Sequence, residues 1–175
     1  MLSLRCLRTI SHLRRGVRAR CKGSLGKSVQ NGSLSWRSLR SVESACMDWP
    51  AHFPDDCPPD DAKPATGAAY RLTHNPFESR DFWTKREEHP EKRFPDPIRE
   101  CQANGLSIFR NVEDAKKLRR RVAYFRNNKN AIAVGHLSPE LGVTKSTGPD
   151  HRSSHCSWWV PVGVDRAQPF TILEE

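Results

Sequence analysis

The chain has 175 residues with a formal net charge of +9 at pH 7, and 36% of its residues are hydrophobic. This length suits one domain of ordinary size with a modest core. No apolar run approaches the ~18 residues that a bilayer-spanning helix needs, so we expect no membrane segment.

The basic excess is confined to the first 46 residues. Of the 29 basic and 20 acidic side chains, ten basic and one acidic lie in residues 1–46, which leaves 19 of each sign from Met47 onward. Because residues 47–175 are neutral overall, we expect them not to bind nucleic acid.

Three interpretations of this N-terminal arm, residues 1–46, remain open. Its Arg-rich, Ser-rich and acid-poor composition is typical of a transit peptide, which would direct the protein to a mitochondrion or plastid. A disordered basic arm could instead condense on phosphates. We favour a third interpretation, because Met1 and Met47 are the only methionines and the composition changes at Met47. Translation from Met47 would make the arm upstream sequence with no fold.

The cysteines do not form a recognisable motif. Six of them lie far apart, and no two form a CxxC pair. This spacing fits neither a zinc ribbon nor a dense disulfide framework. We therefore expect free thiols in a reducing, cytoplasmic compartment. The six are Cys6, Cys21, Cys46, Cys57, Cys101 and Cys156.

Residues 47–66 contain five prolines. Proline fixes φ and removes a backbone donor, so this stretch should be extended and lie along the surface of the domain. Trp49 and Phe53 are expected to anchor it to the core. Residues 67–175 are then predicted to form a single domain.

The first half of that domain should hold one strand and two short helices. Ala68 to His74 alternates apolar and polar residues, which predicts a half-buried strand that ends at the Asn-Pro pair. A short helix should follow, with Ser79 as its N-cap and with Phe82 and Trp83 in apolar contact. A second helix over Asp96 to Ala103 should start at Pro97 and turn Ile98 and Cys101 inward.

A strand and a helix meet in the middle of the chain. The apolar run from Leu106 to Phe109 predicts a buried strand, and Asn111 is a suitable N-cap for a helix that starts at Val112. Apolar residues at spacings of three and four should form the inner face of that helix, and a basic run should face solvent. The inner face comprises Val112, Ala115, Leu118, Val122 and Phe125.

Four more strands are predicted after this helix. They cover Ala131–Leu137, Leu141–Lys145, Trp158–Val160 and Phe170–Leu173. The resulting fold class is α+β, with a small mixed or antiparallel sheet of four to six short strands and two or three helices.

The segment around His155 is the only part that suggests a metal ligand set. His151, His155 and Cys156 resemble half of a metal site, but no second half appears except distant His136 or Cys101. We therefore predict no metal site. His155 is better interpreted as a partly buried histidine that bonds to backbone.

Three segments in order carry a family resemblance: YRLTHNPFESRDF, GLSIFRNVEDAKKL and CSWWVPVGV followed by PFTIL. Their layout resembles small ADP-ribosyltransferase-like domains, and the last segment is similar to the tryptophan–valine–proline ending of the RNA 2′-phosphotransferase branch. The resemblance implies NAD as cofactor, with Arg71 and His74 near its phosphates or ribose and Ser107 as the middle-strand hydroxyl. The catalytic glutamate has no counterpart, because Glu174 and Glu175 end the chain without an ExE or QxE motif. The chain also resembles small bacterial proteins with the order GLS-F and SH-x-x-WW-x-P, which implies no activity.

Two functional hypotheses follow. In the first, a nucleotide-binding enzyme brings Arg71, His74, Ser107 and His155 into one cleft, with Arg71 and Trp158 contacting the cofactor. In the second, which we favour slightly, the domain is an interaction or accessory module whose tryptophans and basic helix face meet a protein partner. Whether Arg71, His74 and His155 line one cavity discriminates between them.

Overall fold

The computed structural model describes residues 17–19, 47–148 and 153–174. Two short strands, β1 (Val17–Ala19) and β2 (Asp48–Pro50), pair antiparallel as a separate ribbon. Strand β1 is the part of residues 1–46 that the structure describes. The rest of the arm lies outside the described residues.

Seven further strands form one antiparallel sheet. They are β3 (Lys63–Pro64), β4 (Gly67–Thr73), β5 (Leu106–Phe109), β6 (Ala131–Leu137), β7 (Val143–Ser146), β8 (His155–Trp159) and β9 (Phe170–Ile172). Their spatial order is β3–β7–β8–β5–β4–β6–β9. This confirms the α+β class with an antiparallel sheet, but seven strands exceed the predicted four to six. The additional strand is β3, where Pro64 is tolerated because β3 is an edge strand.

The described residues contain four α-helices, one more than the predicted upper bound. They are α1 (Lys85–Glu88), α2 (Pro97–Ala103), α3 (Val112–Arg121) and α4 (Ala123–Asn128), and 3₁₀ turns cover Ser79–Phe82 and Pro139–Leu141. The predicted helix after Asn111 is split because Val122 is extended, with φ −103° and ψ 114°. Across this part of the chain, no helix combines the length and the apolar character needed to cross a bilayer.

The helix predicted from Ser79 breaks before it reaches Lys85. Thr84 is extended, its hydroxyl accepts from the Glu87 N–H at 3.2 Å, and its own N–H donates to the Glu87 carboxylate at 2.7 Å. This capping box starts α1 at Lys85. The prediction of Ser79 as the N-cap is therefore wrong, and Trp83 is 47% exposed.

Helix α2 begins at Pro97 as predicted, and Asp96 caps it, since its carboxylate accepts from the Arg99 N–H at 2.7 Å. Cys101 is buried, but Ile98 is 71% exposed. The prediction for Ile98 is wrong because only Cys101 and Ala103, in the second half of this short helix, are buried.

Cys57 and Cys101 form a disulfide that joins the Pro-rich segment to α2, with their Cα atoms 5.4 Å apart. The bridge lies in a buried cluster with Phe53 and Trp159, and Trp49 packs against it, as expected for the anchoring residues. The prediction of free thiols is wrong for this pair, because a packing contact between segments 44 residues apart leaves no local signal. Cys156 is a free buried cysteine. Since disulfides persist in oxidising compartments, the basis for a reducing compartment is lost.

Opposite faces of the sheet carry different clusters. Leu106 and Ile108 of β5 point into the main core with Trp158. Phe109 points to the other face, where it packs with Leu72 beneath α3 and α4. Alternation along β5 therefore separates the core from the face that carries the candidate site.

Candidate functional site

A cavity of about 240 Å³ opens where β4 and β5 separate. These strands share one register pair, Tyr70 opposite Phe109, whereas β4 pairs with β6 along its whole length. We call this space the inner cavity. Its apolar lining comprises Leu72, Trp83, Phe109, Leu118 and Phe125, and its polar lining comprises Arg71, Lys85, Glu88, Ser107, Lys129 and His155.

Arg71 fills the gap between the two strands. Its Nε donates to the carbonyl of Asp81, its Nη1 to that of Ser107 at 2.5 Å, and its Nη2 to that of Trp83 at 3.2 Å. Three carbonyls thus fix the guanidinium, two from the turn that ends at Trp83 and one from β5, and two of its five N–H groups are not used by these bonds.

Arg71 is a buried cation. It is 8% exposed, and this burial lowers its pKa to about 10, although the charges of Glu88 and Asp81 oppose the shift. It is still protonated at neutral pH. Within the described residues no carboxylate forms an ion pair with its guanidinium. The positive charge is therefore stabilised by the dipoles of the three carbonyls and by the more distant charges of Glu88 and Asp81.

Strand register places Ser107 and His155 on the same side. Ser107 and Phe109 of β5 lie opposite Ser157 and His155 of β8, and paired residues point to one face. The ring of His155 packs edge-on against Phe109, with centroids 5.4 Å apart. Ser107 is exposed and lines the cavity.

His155 is held by hydroxyls. Its Nδ1 lies 3.1 Å from the Thr147 hydroxyl, which lies 3.0 Å from that of Ser157. The hydrogen-bond partner of its ring is therefore a side chain, and not a backbone group as predicted from the sequence. Burial lowers the pKa of His155, and the positive charges of Lys85 and Arg71 lower it further. The imidazole is therefore neutral at pH 7 and lies in a positive potential.

His74 does not line the inner cavity. Its ring Nδ1 is 2.9 Å from Asp81 Oδ1, its backbone N–H donates to Oδ2 at 3.0 Å, and Lys129 Nζ lies 3.3 Å from Oδ1. Burial by itself would raise the pKa of Asp81. The pKa is nevertheless lowered, because the carboxylate accepts hydrogen bonds from the Glu78 and His74 backbone and from the His74 ring, and because Lys129 is positively charged. His74 is therefore tied to a buried carboxylate.

A second space of about 420 Å³, which we call the outer groove, adjoins the inner cavity. The two share Trp83, Glu88 and Lys129. The remaining residues that line the groove are His74, Arg80, His89, Tyr124 and Asn128.

Trp158, the predicted cofactor contact, lies in the core. It is fully buried, and its Nε1 donates to the Leu141 carbonyl at 2.9 Å, so the ring offers no open face to a ligand. Of the suggested metal half-site, His151 lies outside the described residues. Elsewhere in the described chain, no group of three or more His, Cys, Asp or Glu residues could hold a metal ion.

Several lining residues were not found from the sequence. None of Lys85, Glu88 and Lys129 was predicted to be a site residue. The spacing of four between Phe125 and Lys129 could have indicated a shared side, because both lie along the extension of α4. No sequence signal indicates that Thr147 contacts His155.

Comparison of the chain with family models, curated proteins and solved structures gave no match. Function is therefore inferred from the chemistry of the inner cavity. Its cations and neutral histidine can bind an anion, and its aromatic side can pack against a planar or apolar group.

Proposed function

We propose that this domain binds a small anionic ligand in the inner cavity, with Arg71 as the main anion contact. The observation that supports this most directly is the buried guanidinium, fixed by three carbonyls and lacking a paired carboxylate in the described chain. Buried charges are normally paired, because removing an ion from water is costly. An anionic group on a ligand would supply the missing partner and use the remaining N–H groups of Arg71.

Two positive charges act at this cavity, which the carboxylate of Glu88 also lines. Burial lowers the pKa of His155 most, and the positive charges of Lys85 and Arg71 lower it further. An anion placed near His155 would therefore be attracted by both cations. The neutral imidazole could donate a hydrogen bond to it or exchange a proton with it.

The size of the cavity limits the ligand. About 240 Å³ lies below the ~300–1,000 Å³ typical of ligand pockets. A phosphorylated sugar or an aromatic acid suits this space, whereas a whole dinucleotide does not. If NAD is the ligand, as the family resemblance implies, only part of it would enter.

Arg71 and His155 share the inner cavity, whereas His74 lies in the adjoining outer groove. The criterion that all three residues line one cavity is therefore met by two of them, and the nucleotide-binding enzyme and the interaction module both stay hypotheses. Catalysis by Ser107 or His155 and use of NAD stay predictions, as does a protein partner for this domain.

The test is binding of inorganic phosphate to the full chain, followed by thermal shift and calorimetry at low salt. We expect saturable stabilisation, since a ligand at 100 times its Kd adds about 2.7 kcal/mol to the free energy of unfolding. Lys85→Gln should weaken binding about tenfold, because it removes an exposed cation of the cavity without disturbing the core.

Lys63→Gln is the matched control, because Lys63 is an exposed lysine on β3 that does not line the inner cavity. It should bind phosphate like the wild type. Equal weakening by both substitutions would show only a general charge effect, and it would contradict the proposal. Failure of the folded wild type to bind phosphate or any other small anion would do the same.

A further inference from the structure

We infer that the outer groove is a second subsite, which accepts a nucleobase, and that the ligand class is therefore a nucleoside phosphate. This inference rests on the proposed function, since it assumes that the anionic group occupies the inner cavity. The starting observation is that the two spaces adjoin, because Trp83, Glu88 and Lys129 line both. A ligand that passes these three residues would occupy both spaces.

Two aromatic rings are exposed in the groove. Trp83 is 47% exposed and Tyr124 is 59% exposed, and both line the same space. Large aromatic side chains usually bury most of their surface. Two that remain open in one groove provide flat faces on which a base can stack without a requirement for particular hydrogen bonds.

The backbone of Trp83 and the ring of Tyr124 each contact a residue of the inner cavity. The carbonyl of Trp83 accepts from Arg71 Nη2 at 3.2 Å, and Thr84, the next residue, caps α1. Tyr124 packs edge-on against Phe125, with ring centroids 5.4 Å apart. The stacking surfaces are therefore placed at a defined position relative to the anion contact.

The polar residues shared by the two spaces suit the middle of a nucleotide. The Glu88 carboxylate can accept hydrogen bonds from ribose hydroxyls, which carboxylates bind in other nucleotide sites. Lys129, whose Nζ is 3.3 Å from Asp81 Oδ1, adds a cation between the two spaces. Each part of a nucleotide would then contact a suitable side chain: the phosphate Arg71, the ribose Glu88, and the base Trp83 and Tyr124.

The inner cavity contains the anion contact and the outer groove contains the exposed aromatic rings. This separation favours a nucleoside phosphate over a simple aromatic acid. An aromatic acid would satisfy Arg71 and the apolar lining of the inner cavity without entering the groove. A ligand with separate anionic and aromatic parts uses both spaces.

The experiment compares inorganic phosphate, adenosine and adenosine 5′-monophosphate on the full chain, by calorimetry and by tryptophan fluorescence. We expect the monophosphate to bind at least tenfold more tightly than phosphate and to quench Trp83. Tyr124→Ala should weaken monophosphate binding about tenfold and leave phosphate binding unchanged, because stacking is lost and the anion contact is not. Trp83→Leu should also abolish the quenching.

Ile98→Ala is the matched control, since Ile98 is an exposed apolar residue that lines neither space, and it should bind both ligands like the wild type. Suppose that phosphate binds and that Lys85→Gln weakens phosphate binding. The base subsite is then wrong, and the anion site stands, if the monophosphate binds no more tightly than phosphate or if Tyr124→Ala weakens the binding of both equally. If neither phosphate nor the monophosphate binds to the folded chain, the proposed function itself is wrong.

Discussion

Asp81 holds side chains of both the inner cavity and the outer groove in place. Its backbone carbonyl accepts from Arg71 Nε, while its fully buried carboxylate binds the ring of His74 and lies 3.3 Å from Lys129 Nζ. Replacing a buried, multiply bonded carboxylate would leave several donors without partners. Asp81 therefore orients the residues around it, and we assign no chemical step to it.

His155 gives the domain a pH dependence of known sign. Its folded pKa lies below the ordinary value of 6.5, so the unfolded chain takes up a proton first as the pH falls. We expect the free energy of unfolding to decrease on acidification below about pH 6.5 and to level off below the folded pKa. Urea unfolding between about pH 8 and pH 5 measures this decrease, which should be smaller in His155→Gln.

Burial also lowers the pKa of His52, so His52→Gln is needed to separate the two histidines. If the pH dependence of His155→Gln equals that of the wild type, His155 does not contribute as stated.

Helix α1 shows how capping at one residue positions the cavity. It is only four residues long and carries Lys85 and Glu88, which both line the inner cavity. So short a helix is not stable by itself. The reciprocal bonds between Thr84 and Glu87, and the ion pair of Glu87 with Arg166 at 2.6 Å, hold it in place.

Thr84→Ala removes the hydroxyl that caps α1 and should lower the free energy of unfolding by about 1 kcal/mol. It should also weaken phosphate binding, because Lys85 then lies in a frayed helix. Ser79→Ala is the matched control, since Ser79 is exposed and provides no cap, and its effect should stay within about 0.5 kcal/mol. Equal losses of stability from the two substitutions, measured by urea unfolding, would show that the cap at Thr84 is unimportant.

Elements with a clear local sequence pattern were predictable from the sequence. The bounds of helices that a cap or an extended residue interrupts were not. The strands Leu106–Phe109 and Ala131–Leu137 have the predicted bounds, because short apolar runs and flanking turns define them locally. The helix after Asn111 begins as predicted but breaks at Val122, whose apolar character fitted the helical pattern. The inner cavity arises where β4 and β5 separate, a feature of strand pairing that no periodicity reveals.

The disulfide closes the part of the chain that supplies one group of the site residues. The chain between Cys57 and Cys101 includes β4 and α1, and therefore Arg71, Trp83, Lys85 and Glu88. Ser107, Lys129 and His155 come from the chain that follows. The buried cluster around the bridge also contains Trp159 of β8, so the bridge packs against this following part of the chain.

Closing a loop of 44 residues should stabilise the fold by about 4 kcal/mol through the lower entropy of the unfolded chain. We therefore expect dithiothreitol to lower the urea midpoint of the wild-type chain substantially. The matched control is the double variant Cys57→Ala and Cys101→Ala, which should match the reduced wild type in stability and be unaffected by the reductant. A wild-type midpoint that does not change on reduction would show that this bridge does not stabilise the fold. A double variant that responds equally to dithiothreitol would show that the effect arises elsewhere in the chain, because this variant lacks the Cys57–Cys101 bridge.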